Sequence, residues 1–204
     1  MLDLIRITVE GYGELEIHES TTLQEVSKTV HGEDYKRYLG ARINNEIWPL
    51  YKSPGDGMAV QFIDNRDVDG YRIYTKTISA VFIIACRELF PGNDAIIHHF
   101  LGPGLYAELD DKHGISFSET RALEDRMKEI IGRDTPIRRS DYPREEAVEI
   151  FRREGYKDKV RLFSSLEKEK VSVYTIGDHI DSFHGYLAPS TGYADEFIDR
   201  KSVV

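Results

Sequence analysis

The chain has 204 residues, 31% of them charged and 40% hydrophobic, with a formal net charge of −9 at pH 7. That balance fits two small soluble domains or one medium one. It argues against a broad phosphate-tracking surface, because nonspecific nucleic-acid affinity comes mainly from Lys and Arg neutralising phosphates. The longest apolar run, Ile78 to Cys86, falls far short of the roughly 20 residues of a membrane span. The opening MLDLIRITVE carries acidic residues where a signal peptide is basic. Cys86 is the only cysteine, which excludes an internal disulfide and a cysteine-rich zinc site and fits a reducing cytoplasm.

In chain order, Leu4, Ile5, Ile7 and Val9 give a strand pattern, Gly11-Tyr12-Gly13 is turn chemistry, and 15–18 alternates again, so the start reads as a hairpin. Thr22 with Glu25 three residues on is a capping box, and Leu23, Val26 and Val30 share a helical face. Short strands at 41–43 and 47–50 flank an Asn44-Asn45 turn, and a last strand runs from Met58 to Ile63. Asp64 to Gly70 (DNRDVDG) is a polar joint and the expected domain boundary. Beyond it Ile78, Val81, Phe82, Ala85 and Leu89 repeat at helical spacing up to Pro91-Gly92. Residues 95–109 contain a Gly-Pro-Gly turn, preceded by His98-His99; adjacent strand histidines face opposite ways. Ser116 and Glu119 open a helix that Gly132 is expected to cap. Asp141 is expected to cap another, with Ala147, Ile150 and Phe151 inside. Ser164-Ser165 reads as a loop or helix end, and 171–176 alternates as a strand. RRSDYPR and FRREGYKDKVR concentrate positive charge between Arg138 and Arg161, a local basic patch or a solvated helix face.

The order hairpin, helix, short strands, closing strand is that of a β-grasp, ubiquitin-like fold. ARINNEIWPL resembles the V-N-G-E-L segment of TGS domains, small docking modules without catalytic residues. The stretch DYPREEAVEIFRREGYKDKVRLFSSL is similar to the W-x-E-A-x-x-x-F-x-x-x-G-x-x-Y-K-x-x-L pattern of the editing domain of threonyl-tRNA synthetases, which is shared in outline with alanyl-tRNA synthetases. GPGLYAEL resembles that domain's G-F-Y-Y-D hairpin, and IGDHIDSFHGYLAPSTG resembles its closing D-x-C-x-G-P-H-x-P segment. The resemblance implies an α+β protein: a β-grasp domain over 1–64, then an editing-like domain over 70–204 with an antiparallel sheet, a strand at 171–176 and long helices near 75–89, 119–131 and 143–154.

In the last segment the frame residues Asp181, Gly185 and Pro189 are kept, but Phe183 stands at the Cys position and Leu187 at the His position. In the helix, the register set by Leu89-Phe90-Pro91 puts Lys76 and Ala80 where the family has its two histidines. Ala, Phe and Leu neither ligate metal nor transfer protons. The resemblance therefore implies no catalytic residue, no metal and no cofactor in this chain. Phe183 and Leu187 are expected to fill the old cleft, leaving Lys76, Asp181 and His184 as candidate rim residues. Lys76 would bind a phosphate or carboxylate, with Asp181 as its alternative partner, or else hold its head in water. A rebuilt metal site from His99, His179 and His184 is the competing arrangement.

The pairing of the two domains resembles the N-terminal half of a bacterial uridine kinase-like family. In that family a downstream kinase domain would bring ATP and magnesium, and it would be this region's partner. No G-x-x-x-x-G-K-[ST] occurs here, so the phosphoryl chemistry would lie outside this chain. The first functional reading is a non-catalytic regulatory or substrate-recognition region of such a kinase. The second is a free-standing adaptor for RNA or a small nucleotide. The third, an aminoacyl-tRNA trans-editing hydrolase, lacks its residues. None calls for a membrane.

Overall fold

The computed structural model describes residues 3–93, 95–101, 104–109 and 114–195, without the side chains of 99–101, 104 and 105. The chain forms an α+β protein of two compact units. One comprises the residues up to Thr135 together with those from Leu187 on; the other is Pro136–Tyr186.

In the first unit, β1 (Leu4–Val9) and β2 (Gly13–His18) pair antiparallel from Leu4↔His18 to Val9↔Gly13. Ile7 and Val9 are 1% exposed, with Thr8 between them turned outward. Thr22 caps α1 (Leu23–His31): its side chain accepts from Glu25 N, and Thr22 N donates to Glu25 Oε2 at 2.7 Å. A 3₁₀ turn, Gly32–Arg37, follows. It buries no residue, so no hydrophobic pattern announces it. β3 (Tyr38–Ile43) and β4 (Glu46–Trp48) close on Asn44 and Asn45, both at positive φ (51° and 65°). Two such residues give the twist that a tight hairpin needs. β5 (Ala59–Asp64) completes a sheet of order β2-β1-β5-β3-β4, with β1 and β5 parallel. This is the β-grasp arrangement.

The polar joint Asp64–Gly70 is short in the structure: Asp64 ends β5, residues 65–67 turn, and Val68–Gly70 already open the next helix. α2 (Val68–Leu89) starts well before residue 75 because Asp67 accepts from Asp69 N and Gly70 N, satisfying donors of the first turn. Arg42 of β3 also reaches Asp67, at 3.0 Å. α2 lies on the sheet at Gly40, where an added Cβ would stand 3.1 Å from Ile73 Cδ1. The hairpin of β6 (Ala95–Leu101) and β7 (Gly104–Leu109) follows; Gly102 and Pro103 of its turn lie outside the described residues. α3 (Phe117–Gly132) carries the expected Ser116–Glu119 capping box, but it includes Gly132 and ends on Arg133. The segment 187–194 then returns to this unit and is buried almost throughout.

The second unit is an antiparallel sheet of order β10-β9-β8, from β8 (Ile137–Pro143), β9 (Lys170–Ile176) and β10 (His179–Asp181). α4 (Arg144–Arg153) and α5 (Lys157–Ser165) join β8 to β9. Asp141 does not cap a helix. It lies in β8 and accepts from Ser172 at 2.7 Å and Arg139 at 3.1 Å, and the helix starts from Pro143 without a side-chain cap. Ala147, Val148, Phe151, Phe163, Val171 and Val173 form the core, with Phe151 and Phe163 stacked at 5.4 Å. This unit holds ten basic and ten acidic residues, so the whole net charge of −9 belongs to the other.

Candidate functional site

The four substituted positions are divided between the two units. In the first, Thr77 organises the neighbourhood of Lys76. Its hydroxyl donates to Ile73 O at 2.8 Å and accepts from Ala188 N at 2.9 Å, holding the returning segment on α2. Leu187, next in the chain, is 5% exposed, and Ala80 is 1% exposed. Both are ordinary core residues where the resemblance has histidines. Lys76 is partly buried and its ammonium has no hydrogen bond or ion pair among the described residues. Burial first, and then the Arg72 charge, push it below the ordinary lysine value. Arg72 itself pairs with Asp69 at 3.0 Å.

In the second unit, Asp181 is 6% exposed and pairs with Lys159 of α5 at 3.0 Å. It also accepts from Ser182 N at 2.6 Å. Asp181 is therefore buried within this unit, with its carboxylate engaged by Lys159 and Ser182. Phe183 is half-buried, its ring edge-on to Tyr174 at 6.0 Å. It is not the fully buried plug the sequence suggested, because it follows β10 in a loop held by Tyr174 Oη donating to Gly185 O at 2.5 Å. His184 is exposed and His179 partly buried. The His99 side chain lies outside the described residues, and His98 pairs with Glu108 at 2.9 Å. Among the described residues no group of three His, Cys, Asp or Glu could hold a metal ion. Burial pushes the Cys86 thiol up to about 12, which keeps it protonated and unreactive.

Two features escaped the sequence reading. One is the anchorage of 187–194. Thr191 donates to Ile130 O and accepts from Thr135 N, each at 2.9 Å, and Thr191 N donates to Thr135 O at 3.0 Å. Asp134 accepts from Ser190 and pairs with Lys36 at 2.7 Å. Gln24 donates to the buried Tyr193 hydroxyl at 3.0 Å. The other is a groove of ≈ 330 Å³ in the second unit, between α4 and the sheet. Val173, Thr175 and Ile180 line it from the sheet, and Glu146, Ile150 and Arg153 from α4. Tyr142 and Glu154 complete its rim. Arg138, Ser140 and Tyr142 share one face of β8, but without apolar alternation the stretch carries no strand signal in the sequence.

No family model matches the chain. It is 28% identical over 184 residues to threonine–tRNA ligase of Rubrobacter xylanophilus, covering 90% of this chain and 28% of that protein. The enzyme of Natranaerobius thermophilus is 29% identical over 190 residues, covering 93% and 30% respectively. That of Sulfurihydrogenibium sp. is 27% identical over 202 residues, covering 95% and 31%. The chain thus spans less than a third of the length of these relatives. No helix among the described residues is long and apolar enough to cross a membrane. Over about nine tenths of its length, the chain is similar to threonine–tRNA ligases.

Proposed function

We propose that this chain is a non-catalytic RNA- or nucleotide-binding module related to the N-terminal region of threonyl-tRNA synthetases, and that the RNA it binds is of the tRNA type. Residues 1–64 and 70–204 would correspond to the TGS and editing-like domains. The observation that carries the reading is similarity to threonine–tRNA ligases along nearly the whole chain, joined to the apolar residues Ala80, Phe183 and Leu187 at the chemical positions. A fold kept without its acid, base and ligand set can still dock RNA, but it has no group there to hydrolyse an ester. The similarity favours this reading over the uridine kinase-like one, whose partner would be a kinase domain.

The test uses a fluorescent hairpin copying a tRNA acceptor stem, titrated with the full chain at low salt. Saturable binding that weakens with salt supports the reading, since phosphate contacts release counterions. Mischarged tRNA should lose its amino acid no faster with the protein than without it. Absence of binding to any RNA or nucleotide sinks the binding role. Deacylation that disappears in His184→Ala sinks the non-catalytic one.

A further inference from the structure

The groove of the second unit has a charge pattern that its own fold does not use. Glu146, Ile150 and Arg153 lie at i, i+4 and i+7 of α4 and so form one stripe. The side chains of Glu146, Arg153 and Glu154 have no hydrogen bond or ion pair among the described residues, while the neighbouring Arg152 is engaged with Glu149. α4 leaves directly from the end of β8 and packs on β8 and β9, so it runs back along them. Glu146 therefore stands at the Tyr142 end of the groove and Arg153 at the Thr175 end. Seven residues of helix separate these charges by about 10 Å. Arg138 is exposed, is paired with Thr175 across the strands, and shares the face of Tyr142. One end thus offers an aromatic ring and a carboxylate, the other a guanidinium group and a hydroxyl, with Arg138 beside Thr175 just outside the lining. Between them lie Ile150, Val173 and Ile180.

We propose that this groove binds one nucleoside monophosphate unit whose base carries an exocyclic amine, either free or as a single nucleotide of unpaired RNA. The proposal rests on the RNA- or nucleotide-binding reading above and gives it a location. The base lies against Tyr142 and the apolar floor, as bases stack on aromatic side chains in single-strand recognition. Its amine donates to Glu146, the pairing by which carboxylates select amine-bearing bases. The phosphate reaches Arg153, Arg138 and the Thr175 hydroxyl through charge-assisted hydrogen bonds. The 10 Å between the charged ends matches the span from base amine to phosphate in one nucleotide. The ≈ 330 Å³ volume lies at the small end of ligand sites, roughly 300–1,000 Å³. Glu154 beside Arg153 opposes further negative charge, so a monophosphate is preferred to a triphosphate. The neutral second unit is also the one an anion approaches without working against the net charge of −9.

The experiment titrates the full chain with CMP, AMP and UMP by calorimetry, and with labelled decamers of cytidylate and uridylate by fluorescence anisotropy. The acceptor-stem hairpin serves as reference. CMP and AMP should bind at least about tenfold tighter than UMP. Arg153→Glu should weaken every nucleotide about tenfold or more. Glu146→Lys should move the preference towards uracil, whose O4 is an acceptor where cytosine has a donor. Both positions are exposed, and circular dichroism checks that each variant is folded. Binding of the monophosphates alone identifies a free nucleotide as the ligand; binding of the decamers as well identifies RNA. If the hairpin binds but both variants bind nucleotides like the parent, the groove proposal is wrong and the RNA-binding reading stands. If nothing binds, both are wrong.

Discussion

Leu187 and Phe183 show how two apolar replacements can have different weight. Leu187 is nearly inaccessible beside α2, so Leu187→Ala should cost about 2–5 kcal/mol in urea unfolding, the range for emptying a buried leucine site. Phe183 is only half-buried against Tyr174. Phe183→Ala should therefore cost about 1–2 kcal/mol, in proportion to the area it covers. Equal losses would contradict the different burial of the two. Asp134 gives a prediction in pH. Burial pushes its carboxyl up, but hydrogen bonds from Lys36 and Ser190 and the Lys36 charge outweigh this and hold it below the usual carboxylate value. A depressed folded pKa contributes stability that is present above the unfolded value, about 3.9, and lost as pH falls through the folded one. Asp134→Asn should lower the melting temperature at pH 7, and the gap from the parent should shrink as pH drops below about 4. A gap that is constant between pH 7 and pH 3 would show that the charge is irrelevant. Neither Asp134 nor Thr191 stood out in the sequence, because their partners lie 98 and 61 residues away and no local pattern encodes such pairings.

Elements were legible where one face is apolar and the ends carry caps. Thr22 with Glu25 and Ser116 with Glu119 marked two helix starts correctly, and 171–176 was readable as a strand from Val171, Val173 and Ile176. β8 was hidden because Arg138, Arg139, Ser140 and Asp141 give no apolar alternation; on the face opposite Val171 and Val173, Arg139 and Asp141 join Ser172 in a polar network. α5 was missed because it buries only Phe163. The start of α2 was misplaced because DNRDVDG has the composition of a loop, although Asp67 uses that polarity as a cap. Gly70 is where the joint is least forgiving: a Cβ there would fall 1.9 Å from Asp64 O, a backbone atom. Gly70→Ala should thus cost about 3 kcal/mol, the upper end for forced overpacking. Gly132→Ala, which meets nothing within 4 Å and lies inside α3, should stabilise slightly. Chemical denaturation of the two variants side by side checks the contrast.

For the molecule as a whole, composition conveyed the net charge but not its division between a neutral unit and an acidic one. The fold class was recoverable from order and motif. The grouping of 187–194 with the β-grasp sheet and α2–α3 was not, because it depends on contacts between the two ends of the chain. That grouping makes Pro136–Tyr186 an insertion: the chain leaves the first unit after Thr135 and re-enters at Leu187, and Thr135 and Thr191 are bonded to each other. The entry and exit of the inserted segment are thus closed by contacts the host makes for itself. Excising 137–186 and bridging the cut with a short glycine-serine loop should leave the first unit folded, with the Thr135–Thr191 amides still protected from hydrogen exchange. Exchange at the unfolded rate would show that the insert is needed for closure. The same topology makes the segment a replaceable cassette: a foreign domain with neighbouring termini could be spliced between Thr135 and Leu187, so that the insert could be exchanged while its carrier stays constant.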